Sequence, residues 1–226
     1  MSKPKAPEAT TTAVAFDLDG TLVDPKEGIV ACFEYALERL DVESPDHESL
    51  AKFIGPSLPT AFRTLLGTDD QQLVDKAVSI YRERFAVSGI FENNVYPGIA
   101  EALDALRASG LPLYVATSKP TNYARKILTQ CGIATYFKQI YGSEMDGTRA
   151  DKDELIAHLL KHEKLKPEQL VVVGDRKHDV AGAHAHGARA LGVLWGYGTF
   201  EELDEAGADM YCGTPGDLPG LLVQRR

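Results

Sequence analysis

At 226 residues with 44% apolar side chains, the chain can form one large domain carrying a smaller insertion, with a sizeable core. A formal net charge of −9 without a long basic run argues against sequence-independent binding to a nucleic-acid polymer, because phosphate backbones need a cationic face. No apolar run approaches a membrane span, and Cys32, Cys131 and Cys212 are odd in number and lack CxxC spacing, so a reduced, cytoplasmic protein with no membrane attachment is expected.

Residues 1–12 are polar and Pro-rich and read as a disordered leader. Thr12–Leu18 reads as a buried strand, within a segment that continues Asp17-Leu-Asp-Gly-Thr21. Two carboxylates two residues apart on an extended chain point to the same side. At the C-terminal end of a buried strand, Asp17 and Asp19 face the crevice where open α/β sheets bind ligands. Such a pair suits a divalent cation, although Asp-Gly is equally at home in a solvated turn.

Residues 24–96 break the pattern and show no convincing strand. Ile29, Cys32, Phe33, Ala36, Leu37 and Leu40 form one helical face, and Leu73, Val74, Ala77, Ile80, Tyr81 and Phe85 another. Between them lie Leu50–Ile54 and Leu58–Leu66. A βα connection normally takes about 2–6 residues, so this stretch is assigned to a separate helical domain able to close over the site. Lys52 and Arg63 are its candidates for an anionic leaving group, and Phe53 for an apolar or aromatic one. A solvated cation and a packed ring are the plainer fates of these side chains.

Pro97-Gly98 introduces a helix on Ile99, Ala102, Leu103 and Leu106, closed by Gly110. The strand Leu111–Ala116 delivers Thr117-Ser-Lys-Pro120. The hydroxyls of Thr117 and Ser118 can bind a phosphoryl oxygen beside the N-terminus of a helix over Thr121–Gln130, or simply cap that helix. Phe137–Gly142 is a short strand. Lys152 opens a helix over Asp151–Glu163 and can neutralise a nucleophile and a phosphoryl group, with Lys119 and Arg149 as competitors.

The strand Leu170–Val173 runs into Gly174-Asp175-Arg-Lys-His-Asp179, a second carboxylate pair. Mg²⁺ takes few carboxylates plus waters and phosphate oxygens, which fits Asp175 directly and Asp179 directly or through water; Asp179 can also merely cap its helix. A helix over Asp179–His186, a strand over Ala190–Trp195, a short strand over Ala208–Cys212 and a terminal helix complete the chain. His178, His184 and His186 read as ordinary helix residues rather than a metal set. Tyr197 follows a strand end, as a pocket wall or a packed turn. The alternation predicts an α/β fold, a parallel sheet covered on both faces, with residues 13–23 and 97–226 as core.

Carboxylate pair, hydroxyl, Lys and carboxylate pair follow one another in that order. In this the chain resembles the haloacid dehalogenase superfamily of phosphohydrolases, through Asp17-x-Asp-Gly-Thr21, Thr117, Lys152 and Gly174-Asp-x-x-x-Asp179. The resemblance covers nearly everything beyond the leader. It is strongest toward phosphoglycolate-phosphatase-like hydrolases. The segments Phe53–Pro56, Ala116–Pro120 and Val173–Asp179 resemble members labelled 5′-nucleotidases.

The resemblance implies a Rossmann-like core with an inserted helical cap and Mg²⁺ as cofactor. It implies that Asp17 is the nucleophile and forms an aspartyl-phosphate, and that Asp19 protonates the leaving oxygen and then activates water. Thr117 and Lys152 would bind phosphoryl oxygens. The metal would be held by Asp17, the backbone carbonyl of Asp19 and Asp175, with Asp179 supporting. The expected reaction is hydrolysis of a small phosphorylated metabolite, phosphoglycolate-like, a nucleoside monophosphate or a sugar phosphate, by a monomer or dimer. An acid at Asp19 argues against dehalogenation. Phosphomutase activity and a non-catalytic binding role are the alternatives.

Overall fold

The computed structural model describes residues 11–223; residues 1–10, most of the expected leader, lie outside the described residues. Thr11 and Thr12 belong to the folded part. The Thr12 N–H donates to the Gln169 carbonyl at 3.0 Å, and Thr11 Oγ1 accepts from Arg189 at 2.6 Å.

In chain order, β1 (Ala13–Phe16) and β2 (Val23–Asp24) precede four helices: α1 (Lys26–Arg39), α2 (His47–Ala51), α3 (Leu58–Leu66) and α4 (Gln71–Val87). Then come β3 (Asn94–Val95), α5 (Ile99–Ala108), β4 (Leu113–Pro120), α6 (Thr121–Gln130), β5 (Gln139–Ser143) and α7 (Lys152–Glu163). The chain finishes with β6 (Leu170–Gly174), α8 (Lys177–Ala185), β7 (Arg189–Val193), α9 (Phe200–Glu205), β8 (Met210–Cys212) and α10 (Leu218–Leu222).

The main sheet has six strands in the order β5-β4-β1-β6-β7-β8, and every neighbouring pair is parallel. β1 is fully buried and reads apolar throughout, as a strand covered on both faces must. Its side chains alternate between two cores. Val14 and Phe16 join Leu103 and Ile127 on one face, while Ala13 and Ala15 join Leu155 and Leu159 of α7 on the other. Because β1 is flanked by β4 on one side and β6 on the other, the connections diverge at its C-terminal end and leave a crevice there.

The inserted helices pack around aromatic rings that are continuous with the core on the Val14 and Phe16 face of the sheet. Phe33, Phe62 and Tyr81 meet edge-on or tilted, with ring centroids 5.1–6.1 Å apart. Their start points are chemically marked: Asp46 caps α2 by accepting from the Ser49 N–H at 2.9 Å, and Asp70 caps α4 through the Gln72 N–H at 2.9 Å.

Three features depart from the sequence expectation. β3 lies inside the stretch expected to hold no strand, and pairs antiparallel with β2, Val23 to Val95 and Asp24 to Asn94. Two residues are too few to show a period of two. β4 runs on through Thr117 to Pro120 by way of a bulge. α8 begins at Lys177 rather than at Asp179, because Asp179 accepts from the Arg176 N–H from inside the first turn. No described helix is long and apolar enough to cross a membrane, and Cys32, Cys131 and Cys212 are free thiols.

Candidate active site

The site grows from the end of β1. The Asp17 N–H continues the ladder to the Val173 carbonyl at 2.8 Å, and its side chain is buried. The chain then turns back at once, with the Leu22 N–H on the Leu18 carbonyl at 2.9 Å. Gly20 makes this turn possible: its φ is +82°, and a Cβ would lie 2.3 Å from Asp175 Oδ2. Thr21 donates its hydroxyl to Asp175 Oδ1 at 3.2 Å, while Trp195 Nε1 holds the Thr21 carbonyl at 3.0 Å. The Tyr197 N–H takes the other Asp175 oxygen at 2.8 Å.

Lys152, the first residue of α7, is buried and turns inward. Its ammonium lies 2.8 Å from Asp17 Oδ1 and 2.6 Å from Asp179 Oδ1, and donates to the Ala116 carbonyl at 2.8 Å. Burial disfavours its charge, but Asp17 and Asp179 outweigh that and hold it above its usual range. Asp175 shows the opposite balance. Burial, then the charges of Asp179 and Asp17, push its carboxyl up to about 8. Asp179 is pushed up to about 6, by burial and Asp17 against the pull of Lys152.

The arrangement is short of positive charge. Asp17, Asp175 and Asp179 are all buried and offer oxygens within 4.8 Å of one another. One ammonium stands among three carboxylates. Among the described residues, Asp17 Oδ1 and Asp179 Oδ1 accept no well-directed hydrogen bond and are approached by Lys152 alone of the cations. An all-oxygen donor set with more carboxylates than cations fits a hard divalent cation such as Mg²⁺.

The end of β4 forms the next wall. Thr117 is buried, and its Oγ1 accepts from the Lys119 N–H at 3.2 Å, which leaves the hydroxyl proton free to donate. Lys119 Nζ lies 2.7 Å from Asp19 Oδ1. Burial raises the Asp19 carboxyl above its ordinary range, with Lys119 pulling the other way.

Asp17, Asp19, Thr117, Ser118 and Lys119 line one cavity, whose opposite wall belongs to the insertion. That wall is mostly apolar and aromatic, with Ile29, Phe33, Phe53, Leu58, Tyr81 and Phe85, and Arg82 and Ser57 are its polar members. Tyr81 and Phe85 carry the helical period of a core face, and a wall built on such a face gives no separate sequence signal.

Other candidates lie elsewhere. Lys52 is exposed at the end of α2, and Arg63 bonds Gln71 Oε1 at 2.6 Å; neither lines the cavity. Arg149 pairs with Glu144. His184 and His186 bond Asp209 and the Asp153 carbonyl at 3.0 and 2.9 Å, while His178 lines a smaller recess beside Lys152. Tyr197 is turned away, its hydroxyl donating to Asp24. Arg176 carried no signal beyond its place between Asp175 and Asp179. It bonds Glu202 at 2.9 Å and reaches the carbonyls of Ile54 and Lys52 in the insertion.

The family model for haloacid dehalogenase-like hydrolases matches residues 14–193. The chain belongs to the haloacid dehalogenase-like hydrolases. A 5′-nucleotidase of Pseudomonas aeruginosa is 47% identical over 208 residues, 92% of each chain. The crystal structure of a predicted phosphatase from Clostridium acetobutylicum matches with a TM-score of 0.91 at 38% identity, covering 94% of this chain and 98% of that one. A tyrosine-protein kinase, PtkA, of Mycobacterium tuberculosis is 38% identical over 204 residues, 90% of this chain and 69% of that protein. Within this hydrolase family, the chain is a phosphatase.

Proposed function

We propose that the chain is a Mg²⁺-dependent phosphomonoesterase of the cytoplasm that hydrolyses a small phosphorylated metabolite through an aspartyl-phosphate on Asp17. The observation that carries this reading is the buried trio Asp17, Asp175 and Asp179 around a single ammonium, of which Asp17 also lines the cavity shared with Asp19 and Thr117. Asp17, Asp175 and Asp179 would hold the metal, with the Asp19 carbonyl. When bound, Mg²⁺ offsets the repulsion between carboxylate and phosphoryl group and stabilises charge on the transferring oxygens.

The chain's own groups supply the remaining chemistry. A carboxylate oxygen of Asp17 attacks phosphorus while the bond to the leaving oxygen breaks, and Asp19 gives that oxygen its proton. Asp19, now ionised, takes a proton from water, which attacks phosphorus and frees Asp17. Lys152 and the Thr117 hydroxyl hold phosphoryl oxygens. The insertion acts as a cap that keeps bulk water out.

The aromatic wall of Phe53, Tyr81 and Phe85 favours a leaving group with a flat apolar face. Among the expected metabolites a nucleoside monophosphate has that shape, and a close relative carries the name 5′-nucleotidase. The test is phosphate release from nucleoside 5′-monophosphates, 2-phosphoglycolate, sugar phosphates and 4-nitrophenyl phosphate, with Mg²⁺ or chelator, for wild type and Asp17→Asn. Metal-dependent release, lost in the variant and greatest for nucleotides, is expected. A folded, Mg²⁺-loaded wild type that releases no phosphate from any ester overturns the reading.

A further inference from the structure

Lys119 has no part in the chemistry above, yet its side chain is only 8% exposed and its ammonium lies inside the cavity wall. The route by which it gets there is specific. β4 and β5 pair in register up to Thr117 and Gly142, and the next pair is Pro120 with Ser143. β4 thus spends two extra residues, Ser118 and Lys119, against none on β5. A bulge of this kind re-aims a side chain that a regular strand would send elsewhere. Two features hold it. The Lys119 N–H closes on Thr117 Oγ1 at 3.2 Å, and Gly142 leaves room beneath, where a Cβ would lie 2.5 Å from the Lys119 carbonyl oxygen.

The re-aimed ammonium meets one group from each side of the cavity. On the core side it lies 2.7 Å from Asp19 Oδ1. On the insertion side it stands 5.0 Å above the ring of Phe85 in α4, within reach of a cation–π attraction. Phe85 is itself fixed by Tyr81, stacked at 5.9 Å, and by Tyr123 of α6, edge-on at 5.2 Å. Lys152 serves a different pair of carboxylates, so the two lysines divide the site. A Lys buried only for stability would be an expensive choice, because desolvation of an ion pair commonly cancels its attraction.

We propose that Lys119 is a positioning residue: it fixes the Asp19 carboxyl in one orientation toward the leaving-group oxygen and, through Phe85, makes that orientation depend on the insertion lying over the site. The inference rests on the phosphomonoesterase reading and deepens it. Without Lys119 the Asp19 carboxyl has no ion-pair partner among the described residues to hold its rotamer, and proton delivery loses its alignment while substrate binding persists.

The experiment compares wild type, Lys119→Met, Lys119→Arg, Asp19→Asn and the Lys119→Met/Asp19→Asn double variant as full-length, Mg²⁺-loaded protein. Two esters are used: the best alkyl phosphomonoester of the panel, and 4-nitrophenyl phosphate, whose leaving group needs little protonation. Lys119→Met is expected to lower kcat on the alkyl ester about 10–100-fold with KM within about threefold, and Lys119→Arg to recover much of the loss. In the Asp19→Asn background, Lys119→Met should change kcat on 4-nitrophenyl phosphate by less than about twofold, since a residue acting through Asp19 has nothing left to act on. Phe85→Leu should lower kcat on its own and add nothing to Lys119→Met.

Equal losses in both backgrounds, or wild-type kcat in Lys119→Met, overturn the proposal. A Phe85→Leu loss that persists in full beside Lys119→Met removes the link to the insertion. Should Lys119→Met fail to fold by thermal unfolding, Lys119→Gln takes its place in the same cycle. An active wild type with an unaffected Lys119→Met defeats only this inference, whereas a wild type that cleaves no ester defeats the phosphomonoesterase reading beneath it.

Discussion

Lys152 Nζ lies 2.8 Å from Asp17 Oδ1, in surroundings that leave the two side chains 5% and 6% exposed. So enclosed a carboxylate depends on its counter-charge. Replacing Lys152 with Met removes the ammonium that pairs with Asp17 and Asp179 in the metal-free protein. It should cost about 3–5 kcal/mol in urea unfolding with chelator present, and Mg²⁺ should restore more stability to the variant than to wild type. A variant as stable as wild type in chelator would show that the carboxylates take up protons instead of needing the ammonium.

Gly20 and Asp175 are in contact across the loop after β1. Gly20→Ala puts a methyl group 2.3 Å from Asp175 Oδ2 at a φ of +82°. The carboxylate must move, and a displaced ligand or support typically weakens metal binding about 10–100-fold. Isothermal titration with Mg²⁺ measures it directly; unchanged affinity would place the cation away from Asp175.

The far side of the sheet carries a pH-dependent cluster. Glu163 at the end of α7 accepts from Lys138 at 2.6 Å, Tyr141 at 2.6 Å and Tyr114 at 3.0 Å. Burial alone would raise its carboxyl, but these bonds prevail and bring it down from 4.5 to about 2. A carboxyl lower in the folded than in the unfolded chain adds stability that is fully present above about pH 4.5 and disappears as pH falls through about 2. Glu163→Gln should therefore be less stable than wild type by about 1–2 kcal/mol near pH 6, and the gap should close in acid. A gap that stays constant down to pH ~2 would assign the loss to packing rather than to charge.

Phe53 packs edge-on against Phe33 with centroids 6.2 Å apart and borders the cavity. Phe53→Ala should raise KM for a nucleoside 5′-monophosphate about 5–10-fold, as loss of roughly 1 kcal/mol of aromatic contact requires, with kcat nearly unchanged. The same variant should treat 2-phosphoglycolate as wild type does. Equal effects on both esters would show that the ring shapes the site in general instead of greeting the leaving group.

The groups at strand ends were legible because their positions follow from local rules. An apolar strand fixes where Asp17 and Asp175 emerge, and a parallel sheet brings those emergent points to one edge. Long side chains were another matter. Lys119 at the end of β4 and Lys152 at the start of α7 have stems of equal reach, and the bulge in β4 brings Lys119 to Asp19 while Lys152 meets Asp17. A bulge of two residues looks in sequence like a strand that simply continues. Lys52 contributes its carbonyl to Arg176, not its ammonium to the cavity, because α2 ends there and turns the side chain outward. Arg176 acts at a distance of more than 120 positions along the chain, which no local pattern encodes.

The pairing of β2 with β3 has an evolutionary consequence. The chain leaves the core at Val23–Asp24 and returns at Asn94–Val95, directly alongside. The paired backbones stand about 5 Å apart, a gap that a two-residue turn can span. Everything between is thus an insertion whose two chain connections to the core lie side by side, while Arg176, Lys119 and Tyr123 touch it from the core side. Helices there can be lengthened or shortened without disturbing the register of any strand in the main sheet, so long as the contacts of Arg176 with Ile54 and of Lys119 with Phe85 are kept.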